Sequence, residues 1–532
     1  MAARIVRTAV ASVSAIALFL TGQGYLDRVQ ADERKPERWK IAGHDLDNSR
    51  SQPEERRIDQ SNVDRLVAKW VFTTGADVSA TPTVSRDFVY FPDWAGNLFA
   101  VRADTGELLW SRKISEYNGR PNSMSRVSPA IFEDLLILGD NVLTSELHNG
   151  AHMMGIDRAT GALRWITQVD DHQTARITAS AVVADNRVFV GVSSNEEGLA
   201  ANPAYPCCTF RGSVVSLNAR TGELLWRTFT VPDNGGLTGG YSGNAVWGPA
   251  AVDRRRGTIY IGTGNNYDVP ASVKACQQRA IDEGNPRARC AAPDDYFDSM
   301  LSLDQRTGAI RWARMLYGYD AWTVACLSAP VGVNCPSPAG PDYDFGSGPN
   351  LLDDIVGIGQ KSGIYWALNP RNGRIVWSTI VGPGGTTGGI QWGTATDGRR
   401  IYVAITNSGH TSYRLANGGP TIDWGSWAAL DPRSGRILWQ VADPTPGALD
   451  PGAVSVANGV MYAGSYSGSM YALNARSGRI LWSFASGGSV AGGPSIVDGT
   501  VFWGSGYGRI GGTPNNKVYA FQLPRDRRDD RH

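Results

Sequence analysis

Along the chain, short apolar runs alternate with polar punctuation, and one stretch of that alternation repeats. Residues 472–482 read Ala-Leu-Asn-Ala-Arg-Ser-Gly-Arg-Ile-Leu-Trp, and matching stretches stand at 100–110, 155–165, 216–226, 302–312, 367–377 and 429–439. Each opens on a small residue, has Gly in seventh place and ends on Trp in eleventh. The pattern predicts a tight hairpin: a strand, an Asn or Asp turn, a Gly with a backbone angle L-residues avoid, and an apolar strand leading to Trp. A ring as large as indole is not covered by one small sheet, so the fixed Trp predicts docking against the next copy. Apolar runs upstream, at 84–91, 188–192, 258–262, 401–405 and 460–464, are bounded by Gly, Asn and Asp and predict two more strands per unit. Units of four antiparallel strands predict an all-β fold, a β-propeller.

An eighth copy is divided between the chain's ends. Lys-Val-Tyr-Ala-Phe-Gln-Leu at 517–523 supplies its first half, and Leu66 to Phe72, containing Trp70, its second. Pairing them gives eight blades, closed by N- and C-terminal strands; an open array of hairpins is the alternative and leaves unpaired edges.

A closed propeller accommodates 532 residues as one domain, expected over 39–524, and 63 Gly, 28 Pro, 17 Trp and 19 Tyr suit its turns and docking. Net charge is +1 with dispersed Lys and Arg, so nothing points to nucleic acid. Residues 1–31 differ: Arg4 and Arg7 precede an apolar run from Ala9 to Leu20, then Val29 and Ala31 form a small-residue cleavage pattern. This is read as an export signal peptide cleaved near Ala31, with a periplasmic mature chain; an uncleaved anchor is the alternative. Residues 525–532 form a mixed-charge tail that need not fold. Six cysteines in an exported chain are expected to be oxidised. Cys276 with Cys290 and Cys326 with Cys335 bracket long loops and read as staples. Cys207 and Cys208 are adjacent, and a bridge between neighbours strains the backbone, as functional sites tend to; two unbridged thiols are the alternative.

In a four-stranded blade the repeated hairpin turns at one end, so connections between blades and between second and third strands emerge at the other. The long insertions, 193–210, 263–298 and 318–348, are all of that kind, so the site is expected on that face. It collects Arg126, Glu196, Glu197, Cys207, Cys208, Asn265, Asn266, Asp320, Asp342, Asp344 and Lys361. Acids and Asn amides at one mouth suit a hard cation such as Ca²⁺; taken singly, each is an ordinary solvated loop residue. Trp247 stands outside the repeat position and suits either a flat platform in the channel or ordinary packing. His44, His148, His152, His172 and His410 lack metal-ligand spacing and read as structural or surface residues.

These residues resemble the pyrroloquinoline quinone (PQQ) dependent alcohol dehydrogenases, and among them the polyvinyl alcohol dehydrogenase group. The resemblance runs from Trp39 to Leu523, on Ser125-Arg126, Val-Ser-Ser-Asn-Glu-Glu at 192–197, Cys-Cys-Thr-Phe-Arg-Gly at 207–212, Gly-Thr-Gly-Asn-Asn at 262–266, Asp-Tyr-Asp-Phe-Gly at 342–346 and Gly-Gln-Lys-Ser-Gly at 359–363. It implies Ca²⁺ on Asn265 and on Glu196 or Glu197, with Glu196 favoured by ungapped alignment. Trp247 would be the floor under the quinone, the Cys207–Cys208 bridge its ceiling and Arg126 the partner of a cofactor carboxylate. Lys361 would face the reactive quinone oxygen, and Gln391 would touch the cofactor. Asp342 is read as the general base, with Asp344 and Asp320 in reserve; without an insertion after Trp322, Thr323 would fall at the base position. The implied chemistry is Ca²⁺-polarised hydride transfer from an alcohol to the quinone. The Cys pair shares a loop with the glutamates, as in the polyvinyl alcohol group, which makes a ceiling role less direct and favours a secondary or polymeric alcohol. The sequence has no Cys-x-x-Cys-His, so a separate cytochrome is expected to accept electrons. Two competing readings are a non-enzymatic scaffold propeller of the outer-membrane assembly type and a cofactor-binding protein without turnover.

Overall fold

The computed structural model describes residues 39–142, 146–285 and 288–524; the expected export segment and charged tail lie outside the described residues. All seven copies of the repeat are antiparallel hairpins with a register shift directly after the small first residue. In the copy at 472–482, Ser469–Asn474 pairs with Ile480–Ala485 and places Ala472 opposite Trp482. A larger side chain at that first position would collide with the indole across the ladder, as a Cβ on Gly155 would with Trp165. The Asn474 side-chain oxygen accepts the amides of Arg476 and Ser477, each at 3.0 Å, which folds the turn.

The repeat Gly has two reasons to be Gly. Its φ lies between 66° and 75° in every copy. In addition, a Cβ there would come within 2.5–2.8 Å of the preceding blade's Trp ring. Each Trp Nε1 also donates to a carbonyl of the following blade at 3.0–3.3 Å: Trp70 to Ala103, Trp110 to Arg158, Trp165 to Ala219, Trp226 to Gln305, Trp312 to Pro370, Trp377 to Pro432, Trp439 to Ala475 and Trp482 to Leu66. One residue type thus makes the hairpin and the blade-to-blade contact.

Eight sheets of four or five strands result, an eight-bladed β-propeller. The last blade takes three strands from the chain's C-terminal part and its fourth, Val67–Thr73, from the N-terminal part, paired antiparallel with Lys517–Gln522. Innermost strands such as Ser455–Ala457 and Ser495–Val497 are wholly buried, whereas outer strands such as Leu108–Lys113 are largely exposed. The core is therefore divided into wedges between blades.

The N-terminal segment 39–52 crosses the plain end of the channel. It exchanges backbone hydrogen bonds with innermost-strand residues of six blades: Trp39 with Val84, and Lys40, Leu46, Asp47, Ser49 and Arg50 as acceptors from Ile131, Val252, Leu351, Thr396 and Val456. Gln52 Nε2 adds a seventh through the Ile496 carbonyl at 3.1 Å. Arg50, buried at 4% exposure, donates to the carbonyls of Val454 and Ala42 and to Thr81 Oγ1 at 2.7–2.9 Å.

Candidate active site

At the opposite end the three long insertions interlock. The second contains a strand, Asn266–Asp268, and a helix, Ala271–Asp282, which the strand-and-loop reading of the sequence had not included. Cys276–Cys290 and Cys326–Cys335 staple the second and third insertions, Cys207 is bonded to Cys208, and no cysteine among the described residues is free. Asn334 Nδ2 of the third insertion donates to the carbonyls of Ala200, Asn202 and Tyr205 in the first, at 3.0–3.2 Å. Asn265 Nδ2 of the second donates to the Trp322 carbonyl of the third at 2.9 Å.

These contacts enclose a cavity of about 200 Å³. Its walls bring together Arg126, Glu197, Trp247, Asn265, Asp344, Lys361 and Gln391 from positions dispersed over 266 residues of sequence. Trp247 packs against the loop carrying Asp342 and Asp344 because Gly346 presents no side chain: a Cβ there would come within 2.4 Å of the indole. Lys361 Nζ stands 5.5 Å from the centre of that ring and donates to Asp342 Oδ1 at 2.8 Å and Asp344 Oδ2 at 2.9 Å. Asp344 Oδ1 accepts the Asn265 amide at 2.6 Å, so both its oxygens are engaged by donors. Burial alone would lower the Lys361 pKa, but Asp342, Asp344 and Glu197 hold it above its usual value. Burial raises Asp342 well above the carboxylate range, with Lys361 opposing.

The two glutamates part company. Glu197 lines the cavity, and its Oε1 is buried without a hydrogen-bond partner. Burial, helped by the nearby Asp344 charge, pushes its pKa up to about 8. Glu196, favoured as the metal ligand by alignment, points the other way: its carboxylate accepts the amides of Thr209 at 2.8 Å and Phe210 at 2.7 Å and the Tyr205 hydroxyl at 3.1 Å. It holds the cysteine loop and does not face the cavity, because the helix Glu196–Leu199 turns successive residues to different sides.

Four further expectations are placed elsewhere than in the cavity lining. The Cys207–Cys208 pair does not line the cavity; Cys208 is fully buried in the hydrophobic core beside Phe210, where the loop anchored by Glu196 draws it. Asp320 is also outside the lining. Its oxygens accept the amides of Asp342 at 3.0 Å and Tyr343 at 2.6 Å, so it shapes the turn that presents Asp342, whose φ is 61°. Asp342 itself meets the cavity only through Lys361. Asn266 faces inward as well, donating to Asn244 Oδ1 at 2.9 Å and Asp295 Oδ1 at 3.0 Å.

Sequence reasoning missed Tyr267, Thr178, Trp392 and Tyr507, which also line the cavity. It also missed Asp298, wholly buried behind Asp320, whose pKa is raised well above the carboxylate range by burial and by Asp320. Tyr267 follows directly on Asn265-Asn266, which could have marked it; the others carry no local signal. The second aromatic wall joins Trp94, Trp392, Tyr466 and Tyr507, with ring centres 5.0–6.4 Å apart, and Arg126 lies 5.7 Å over Trp94.

The cavity thus has Trp247 in its wall, an acid side with one unpartnered carboxylate oxygen, and an Arg126 guanidinium that makes no ion pair with a described residue. The residues fit a planar polyanion beside a cation: Asn265 spends its amide N–H groups on the Asn266 and Trp322 carbonyls, which leaves its oxygen as an acceptor next to Glu197. Six to eight oxygens are usual around Ca²⁺, so the remainder would come from the cofactor and water.

Comparison with known proteins agrees. A family model described as PQQ, glucose/ethanol/alcohol dehydrogenase, beta-propeller domain, matches residues 39–380, and one for outer membrane protein assembly factor BamB matches 425–522. A polyvinylalcohol dehydrogenase from Sphingopyxis sp. is 30% identical, over 91% of this chain and 76% of its own length. One from Pseudomonas sp. is 27% identical, over 92% and 78%. The crystal structure of quinohemoprotein alcohol dehydrogenase from Comamonas testosteroni shares the fold, with a TM-score of 0.68 and 19% identity over 93% of this chain and 82% of that one. Matched over more than half its length by the first family model, the chain belongs to the PQQ-dependent quinoprotein alcohol dehydrogenases.

Proposed function

We propose that this protein is a periplasmic dehydrogenase that uses PQQ and Ca²⁺ to oxidise a secondary or polymeric alcohol to a carbonyl, and that a separate cytochrome takes the electrons. One observation carries the reading: an unpartnered Glu197 oxygen, Asn265, a flat Trp247 and a Lys361–carboxylate cluster share one cavity. The names of the two polyvinylalcohol dehydrogenases support the substrate class. The scaffold reading draws on residues 425–522, which carry the repeat but none of these residues.

When bound, PQQ supplies a two-electron acceptor and Ca²⁺ the Lewis acidity that polarises it. Glu197 and Asn265 hold the cation, and Trp247 fixes the plane of the cofactor. Asp342 would serve as the base from the edge of the cavity, which it adjoins through Lys361: one of its oxygens is bound by that lysine, and the other accepts no hydrogen bond from a described residue. Asp344, tied by Lys361 and the Asn265 amide, positions Lys361. Lys361 stands ready to donate a proton or hydrogen bond to oxygen at the ring above Trp247.

Titration of the apoprotein with PQQ and Ca²⁺, followed by dye reduction with a panel of alcohols including polyvinyl alcohol, tests the reading. Asp342→Asn should lower kcat about a thousandfold while PQQ binding survives. Undiminished dye reduction in this variant would reject Asp342 as the base, and absence of PQQ binding to the wild type would reject the enzyme reading.

A further inference from the structure

Beside the segment that leads into Glu197 stands a second arginine, Arg176, unassigned so far. It ends the short strand Ala175–Arg176, which pairs with Ser193 and Ser194, two residues that line the cavity. Ser193 Oγ ties this segment together, donating to the Arg176 carbonyl at 3.1 Å and meeting Thr178 Oγ1 at 2.7 Å. In extended backbone Arg176 and Thr178 share a side, and Thr178 lines the cavity. Ile177 between them turns the other way into the core.

The Arg176 guanidinium has no ion pair or hydrogen bond with any described residue, and its Nε is buried without a partner. Burial and the neighbouring Arg126 charge push its pKa down to about 10, with Tyr267 opposing. Arg126, which lines the cavity, likewise makes no ion pair with a described residue. Two guanidinium groups close enough to repel, one with an orphaned donor, are unfavourable unless an anion joins them. The planar fork of Arg suits a carboxylate, and a PQQ molecule lying on Trp247 brings several.

We propose that Arg176 and Arg126 together form a two-arginine carboxylate clamp for PQQ, with Arg176 binding a cofactor carboxylate separate from the one at Arg126. This rests on the PQQ reading above. The clamp would gather positive charge on one side of the cofactor, so that cofactor charge helps fix which edge of the ring faces Glu197 and Asn265.

The test is equilibrium binding of PQQ and of its uncharged trimethyl ester to apoprotein with Ca²⁺, followed by Trp fluorescence, for wild type, Arg176→Gln and Arg176→Lys. Arg176→Gln should bind PQQ about 10- to 100-fold more weakly, Arg176→Lys by a smaller factor, and the ester should bind all three proteins alike. Because removing an unpaired buried charge relieves the apoprotein, Arg176→Gln should melt no lower than wild type without PQQ while its PQQ-induced rise in Tm shrinks. Equal PQQ affinity of wild type and Arg176→Gln would overturn the clamp and leave the PQQ reading standing. Failure of wild type to bind PQQ would remove both.

Discussion

At Glu196 and Glu197 one backbone step separates a carboxylate that accepts two amide protons from one whose Oε1 accepts none. Their substitutions should therefore diverge. Glu197→Gln should abolish Ca²⁺ binding by isothermal titration with little change in apoprotein melting, because the buried acid is already reluctant to ionise. Glu196→Gln keeps an acceptor for only one of the two amides and sets an NH2 against the other, which should lower stability by about 2 kcal/mol in urea unfolding while Ca²⁺ still binds. Asp295 gives a pH signature. Burial raises its pKa from 3.8 to about 7 despite hydrogen bonds from Asn244 and Asn266. The folded state thus holds the proton more tightly than the unfolded chain, so this group adds stability below about pH 4 that is lost as pH rises through 7. Asp295→Asn should flatten that decline, on the order of 3 kcal/mol, in unfolding midpoints measured from pH 4 to pH 8.

At the scale of the element, the hairpin carries the fold because its Gly and Trp act on different partners. Gly308 turns its own hairpin at φ 74° and leaves room for Trp226 of the preceding blade, 2.5 Å from where a Cβ would stand. Gly308→Ala should cost about 3 kcal/mol, more than left-handed backbone alone requires, and Trp226→Ala should recover part of that loss in a double-mutant cycle. If the two losses simply add, the docking explanation of the Gly is wrong. The insertions follow another logic. They have no repeat to specify them, and their order comes from disulfides, from Asn334 bridging two of them and from buried carboxylates capping amides.

For the whole molecule, segment 39–52 ties innermost strands of seven blades to one stretch of chain. Arg50 is its centre, held by two carbonyls and two hydroxyls without a carboxylate, and burial lowers its pKa to about 10. Arg50→Met should leave those acceptors unpaired and lower stability by about 3 kcal/mol, read in thermal melting, although the residue touches neither the acids nor Trp247.

The sequence by itself determined the blade, because Gly, Asn and Trp act locally or one repeat away and their spacing survives in linear order. It also determined which face is elaborated, since strand parity assigns each connection to an end. Arg126, Trp247, Asn265, Lys361 and Gln391 were legible through short motifs whose neighbours fix their direction. Only the tertiary structure decided that Glu197 and not Glu196 faces the cavity, that Cys207–Cys208 lies outside it, and that Asp320 supports Asp342 from behind. Those outcomes depend on where irregular loops from different blades meet, and the donors that claim a buried carboxylate there lie from 9 to 79 residues away.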